Sequence, residues 1–244
     1  MEFVLPTLAA CLLVITLSQI NASRRWLASL AWLVAIMLAF LLALNRLPGL
    51  SRISLYQDVY LSPDSPLFSL SINTGKAVVA VVLCIAFSTW LKPAYKIIPA
   101  TVLVRLVLLF VLTPVVILGL GYALQLVTWQ PKWPEVLLPF LLANLLITCV
   151  AEEYFFRGLI QAQLQRLLFG EAGVISILIT AVLFALVHAP AGFSYALLAG
   201  ISAIFHGVIF QLTGRIELCV LNHWFLNMVH FMWFSYPMAI NSTP

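Results

Sequence analysis

The chain has 244 residues, 64% of them hydrophobic and 8% charged, with a mean hydropathy of +1.11; an ordinary soluble domain carries roughly 25% charged residues. This composition excludes a soluble enzyme, and its hydrophobicity excludes a disordered chain. Twelve Lys+Arg against eight Asp+Glu, a net charge of +4, are too few for a basic nucleic-acid-binding face, so the basic balance is read as membrane topology. At about 20 apolar residues per span, the length accommodates roughly seven to nine transmembrane helices.

The opening Met1-Glu2 lacks the basic region of a secretory signal, so the first apolar stretch, Phe3 to Ile20, is read as a retained span. Trp26 to Leu44 follows Arg24-Arg25 as a second span, a polar loop runs from Arg46 to about Pro66, and Lys76 to Leu91 forms a third span with Lys76 snorkelling at its end. After a short basic segment from Lys92 to Arg105, Leu106 to Val127 is a fourth span that tolerates Pro114, Gly119 and Gly121. Trp129 to Pro134 is a turn with interfacial aromatics, and a fifth span starts at Val136 and passes through Glu152-Glu153 to about Ile160, its helix continuing out of the bilayer. Gly170 and Gly173 bracket a turn before a sixth span, Val174 to His188, which Pro190 ends. Tyr195 to Leu212 and Leu218 to Phe234 complete eight spans.

The expected fold is therefore all-α, a polytopic membrane helix bundle of about eight transmembrane helices, with no internal repeat and no linker that divides it. Cys11, Cys84, Cys149 and Cys219 sit in apolar runs without a CxxC pair and are read as small buried hydrophobes. Seven basic residues (Arg24, Arg25, Lys92, Lys96, Arg105, Arg166, Arg215) follow the odd-numbered spans and three (Arg46, Arg52, Lys132) follow the even-numbered ones, which puts both termini outside the cytoplasm.

An ionised side chain at the centre of a span costs about 2.5–3.5 kcal/mol on insertion scales, so such residues mark function. Here they gather in the C-terminal half: Glu152, Glu153 and Arg157 in the fifth span, His188 at the end of the sixth, and His223 and Asn227 in the eighth. Glu153 and Arg157 stand at i and i+4 in the favourable order for an ion pair. Glu152, about 100° around the helix, is left without that partner, which in a low-dielectric setting favours a carboxyl that takes and returns a proton near neutrality. His223 and Asn227, also i and i+4, are placed to hold a carbonyl oxygen as negative charge develops on it. His188 orients a water or shares its proton, with Phe184 packed one turn earlier. A base, a proton relay and an oxyanion clamp suit hydrolysis of an amide without a covalent intermediate. His206 has no polar companion at helical spacing and is read as a satisfied bundle histidine, and His230 likewise as structural. The small residues Gly200, Ser202, Ala203 and Gly207 let the seventh span approach closely and back the site. Glu152, His188, His223 and Asn227 are expected to share one polar cavity, although the span assignment puts His188 at the far end of its span.

Glu152-Glu153-x-x-x-Arg157, Phe184-x-x-x-His188 and His223-x-x-x-Asn227, in this order and in separate apolar spans, resemble the EExxxR, FxxxH and HxxxN motifs of a membrane-embedded protease family. That family, called CPBP or Abi, includes the type II CAAX prenyl endopeptidases and bacteriocin-processing enzymes. The resemblance covers roughly residues 136 to 234; residues 1–135 match only in being hydrophobic spans, while 136–236 is the catalytic bundle within one integral membrane unit. It implies an intramembrane endopeptidase of the glutamic or metalloprotease type in which Glu152 activates water with help from His188, His223 and Asn227 stabilise the oxyanion, and Glu153 and Arg157 support the helix. The implied substrate is a membrane-associated or lipid-anchored protein or peptide, and the expected location is a multi-pass position in a bacterial cytoplasmic membrane. Without HExxH in the chain, the reading is that no metal is used; the alternative is zinc on Glu152, His188 and His223. The alternative function is a non-catalytic membrane scaffold or immunity protein with the same fold. A proton-coupled transporter is disfavoured, because polar residues occupy one half only.

Overall fold

The structure, a computed structural model, describes residues 4–19, 24–62, 65–90, 98–168 and 172–239. Met1 to Phe3, Ile20, Leu91, Lys92, Lys96 and Gly170, used above as span ends, basic markers and a turn, lie outside the described residues. Among the described residues eight helical rods follow one another: α1 (Val4–Gln19), α2 (Arg25–Ala43), α3 (Thr74–Trp90), α4 (Ala100–Ala123), α5 (Leu137–Leu167), α6 (Ala172–His188), α7 (Phe193–Thr213) and α8 (Ile216–Trp233). Five of them, α2 and α4 to α7, are long and apolar enough to cross a membrane, and α1 and α3 are shorter apolar helices. Leucines and valines such as Leu103, Val107 and Val111 on α4 are exposed. In water so wide an apolar surface would drive association; in a bilayer it is the lipid-facing side. The fold is thus the all-α polytopic membrane bundle that the composition predicts.

One segment departs from that expectation. The loop expected from Arg46 to Pro66 contains β1 (Arg52–Val59), which pairs antiparallel with β2 (Phe68–Asn73) in a two-stranded sheet, Arg52 opposite Asn73 and Val59 opposite Phe68. Ile53, Leu55, Tyr56 and Val59 on β1 and Phe68, Leu70 and Ile72 on β2 give these strands the β-branched and aromatic content of a half-buried hairpin. Phe68 and Leu70 are buried. The Phe140 ring stacks on Phe231 at 3.9 Å and meets Phe68 edge-on at 6.2 Å, so the hairpin is pinned to the first turns of α5 and the last turns of α8. The Trp129 backbone bridges to Phe234 beside it, closing the same end of the bundle.

The hairpin also sets the start of α3. The Asn73 side chain accepts from Lys76 N at 2.8 Å, a helix cap, and donates to the Ala43 carbonyl at the end of α2 at 2.9 Å. At Gly75 a Cβ would fall 1.8 Å from the Leu42 carbonyl oxygen, so only glycine permits this approach. Lys76 is thereby fixed in position at the hairpin end.

α5 is wound unevenly. Asn144–Cys149 and Tyr154–Gln161 are π-helical, on either side of the α-helical Val150–Glu153. Such widened turns leave carbonyls short of partners and cluster at functional sites. Here the Trp32 indole of α2 donates to Leu159 O at 2.7 Å and the Trp224 indole of α8 to Leu141 O at 3.0 Å. α6 and α7 pack closely, and at Gly207 a Cβ would meet Ile177 at 3.0 Å. One apolar core runs through both halves, from Leu13 and Leu17 of α1 through Leu42, Leu83 and Leu159 to Ile209 and Cys219.

Candidate active site

Glu153 is wholly buried on α5, and its two oxygens serve different helices. Oε2 accepts from Arg157 Nε at 2.9 Å, the expected i to i+4 pair, and Oε1 accepts from His223 Nδ1 of α8 at 2.9 Å. A carboxylate only accepts, so His223 carries a proton on Nδ1, and Nε2 remains available. Arg157 Nη1 reaches Gln161 at 3.3 Å, and Gln161 Nε2 donates to the Gly207 carbonyl at 3.0 Å, which ties α5 to α7. A buried ion pair requires such added partners, because its mutual attraction alone scarcely offsets desolvation.

His206 of α7 corrects its sequence reading. It stacks on His223 with ring centres 5.0 Å apart, and its Nδ1 lies 3.3 Å from Glu153 Oε1, yet neither ring nitrogen has a hydrogen-bond partner among the described residues. It is a member of the polar cluster and unsatisfied. Spacing on α7 alone carried no sign of this, because every polar neighbour comes from another helix. The small residues of α7 do bring it close, and through His206 that helix enters the cluster.

Glu152 also departs from expectation, since the sequence left it without a partner. Its Oε1 pairs with Lys76 Nζ of α3 at 2.7 Å, the two side chains being 15% and 28% exposed. Residues 76 apart in sequence give no helical-spacing signal, and by sequence Lys76 reads as a snorkelling end residue. Glu152, Lys76 and His188 line one cavity, walled by Phe155 and Phe156. His188 Nδ1 donates to the Phe184 carbonyl at 2.8 Å, which leaves Nε2 as its free nitrogen, and its ring stacks on Phe184 at 4.5 Å.

His188 borders a second cavity together with His223, Asn227, Tyr195 and His230. The four residues expected in one cavity therefore occupy two that meet at His188. The depth conflict resolves through the α5–α6 connection. Two helices joined by a short turn and packed side by side bring residues equidistant from the turn to one level. Glu152 lies about fifteen residues before the end of α5 and His188 about sixteen after the start of α6, so mid-α5 and the end of α6 coincide. The site lies toward the hairpin end, at the starts of α3 and α7 and the end of α6.

Asn227 Nδ2 donates to Asn144 Oδ1 at 3.1 Å, and Cys149 Sγ donates to the same oxygen at 3.2 Å. Asn144 lies in the first widened stretch of α5 and carries no motif, so sequence reasoning missed it. Its oxygen fixes which way the Asn227 amide points.

Among the described residues, one group has metal-ligating geometry: Glu153, His206 and His223, whose ligand atoms lie within 4.8 Å of one another. Glu152, His188 and His223, the alternative ligands read from the sequence, do not form such a group. The Glu153 set fits a cation poorly, because the Arg157 guanidinium already holds its carboxylate at 2.9 Å. The ring of His206, near Glu153 but without a well-formed hydrogen bond, is the feature that would favour one.

No curated protein and no solved structure matches the chain. The family model described as Type II CAAX prenyl endopeptidase Rce1-like matches residues 132–229, a stretch that contains all three motifs and the helices that bring them together. The motif-bearing segment of this integral membrane protein is thus similar to the Rce1-like type II CAAX prenyl endopeptidase family.

Proposed function

We propose that the protein is an intramembrane endopeptidase that hydrolyses a peptide bond of a membrane-associated or lipid-anchored protein, with Glu152 as the base that activates water. Residues 136–236 carry the chemistry, and residues 1–135 contribute Lys76 and the hairpin. The observation that supports this reading is the pair of cavities meeting at His188: one holds a half-buried carboxylate, the other an imidazole and a carboxamide. Water between Glu152 and His188 gives its proton to the carboxylate as its oxygen attacks the carbonyl carbon. The oxyanion is held by the second Nδ2 hydrogen of Asn227 and by Nε2–H of His223, a donor that requires a proton on both ring nitrogens because Nδ1–H stays on Glu153. The C–N bond then breaks, and Glu152 returns the proton to the departing amine.

Glu153 has a different task in this scheme. Its bond to Nδ1 orients His223 and supports the positive charge that donation from Nε2 requires, and its bond to Arg157 fixes the helix beside Glu152. The reaction is proposed to need no metal, since Glu152 stands outside the group with ligand geometry and that group already satisfies its carboxylate with a guanidinium.

The test compares peptide termini across the membrane proteome of the native host between wild type and a chromosomal Glu152→Gln strain at matched protein levels. A set of cleavages present in the wild type and absent in the variant is expected. Identical termini, with a deletion phenotype rescued by Glu152→Gln, would point instead to a scaffold that keeps the fold without catalysis.

A further inference from the structure

A peptide bond in a helix is shielded, and its amides are already paired. For a protease to reach it, several residues must unwind, and in a bilayer each backbone group left without a partner costs several kcal/mol. A membrane protease therefore gains from a structure beside its site that accepts the unwound backbone. The hairpin offers one. β2 has a single neighbour, β1, so its second edge is free, and among the described residues no backbone hydrogen bond joins that edge to anything else.

A cavity runs along this strand and touches all six of its residues, Phe68 through Asn73. Consecutive strand residues point to opposite faces, so a cavity contacting six in a row follows the edge and not one face. Its opposite wall is α5 around Asn144 and Thr148, and its end is Lys76, whose ammonium holds Glu152 at 2.7 Å. Among the described residues, the charged side chains lining it are Arg52 and Lys76, the second already paired with Glu152, so Arg52 sets its charge. Such a groove complements an uncharged or anionic peptide and repels a basic one.

We infer that the free edge of β2 binds the substrate as a third strand, an extended, uncharged or acidic peptide segment that the groove delivers to Glu152 at the Lys76 end. The inference rests on the hydrolase reading of the site. Strand addition supplies main-chain hydrogen bonds in place of those lost on unwinding, and sequence preference comes from alternate side chains. It also gives the N-terminal half a function, because both the strand and Lys76 come from it.

The probe is a fluorescent farnesylated peptide ending in a CAAX sequence, made as a series in which each backbone amide in turn is N-methylated. Binding is measured to the full-length Glu152→Gln protein in detergent. Because every second residue of a strand faces a given neighbour, methylation at alternate positions is expected to weaken binding about tenfold or more, the positions between losing little. Arg52→Glu is expected to weaken the free-acid peptide more than its amidated form. Uniform loss along the series, no loss, or failure of the parent peptide to bind overturns the inference; equal effects of Arg52→Glu on both forms overturn the charge preference. Cleavage of the parent by the wild type without alternation removes the strand model and leaves the hydrolase reading standing. Alternation without cleavage by the wild type does the reverse.

Discussion

Glu152 and Glu153 are neighbours in sequence and opposites in setting. Glu153 has no exposure and is held from its own helix and from α8, with a second ring, His206, 3.3 Å away. Glu152 is partly exposed to a cavity and has a single cation, brought from α3 and itself 28% exposed. A charge buried with several fixed partners cannot exchange them without a large penalty, so it holds structure. A charge with one partner at a cavity wall can trade that partner for water or substrate, so it is free to react. The double glutamate thus divides one polar patch into a fixed hub and, in the proposed mechanism, a working group.

The comparison breaks most sharply at Arg157. Arg157→Met leaves the Glu153 carboxylate buried without its guanidinium partner, and a loss of about 3–5 kcal/mol is expected, read as a collapse of the folded fraction or of the thermal midpoint in detergent. Glu152→Gln should do the opposite: turnover falls by about 10²–10⁴, while the midpoint moves by less than the Arg157 variant's shift. A Glu152 variant as unstable as Arg157→Met would show that both carboxylates are structural.

Eight helices and three polar motifs were legible in the sequence because both signals are local. Apolar runs declare helices, and i to i+4 spacing declared the Glu153–Arg157 pair correctly. What stayed hidden was every partner supplied from another helix. Lys76 reaches Glu152 from α3, His206 stacks on His223 from α7, and Asn144 meets Asn227 from a turn whose π-helical winding departs from the 3.6-residue period. The hairpin was hidden for a different reason, because in a chain this apolar its Ser, Arg, Asp and Pro residues read as a loop and masked the strand residues between them.

Asn144 sharpens the comparison at the oxyanion side. Asn144→Ala frees the Asn227 amide to turn, and kcat is expected to fall about tenfold with KM little changed, as a misoriented donor weakens the transition state alone. Asn144→Asp, which keeps the accepting oxygen, should recover most of the loss. Equal changes in kcat and KM would place Asn144 in substrate binding instead.

His206→Phe tests the edge of the hub. Replacing an imidazole without hydrogen bonds by a ring of similar shape removes a buried unsatisfied group, so stability should hold or rise by about 1 kcal/mol with activity retained. If activity disappears and zinc raises the midpoint of the wild type but not of the variant, the Glu153, His206 and His223 group binds a metal after all.

The smallest effect is expected outside the spans, at Lys132. Burial lowers this ammonium to about 8, and its Nζ faces the carbonyls of Gln130 and Phe234. In the unfolded chain the same group titrates near about 10.4. Between these values the unfolded state holds more protons than the folded one, so stability rises with pH through this window and is lower below it. The wild-type midpoint should therefore climb relative to that of Lys132→Met from about pH 8 to about pH 10. The loop that Lys132 anchors closes the hairpin end of the bundle, so a midpoint difference that is flat across this range would mean that the lysine keeps its proton, and that this end of the bundle admits more water than its packing implies.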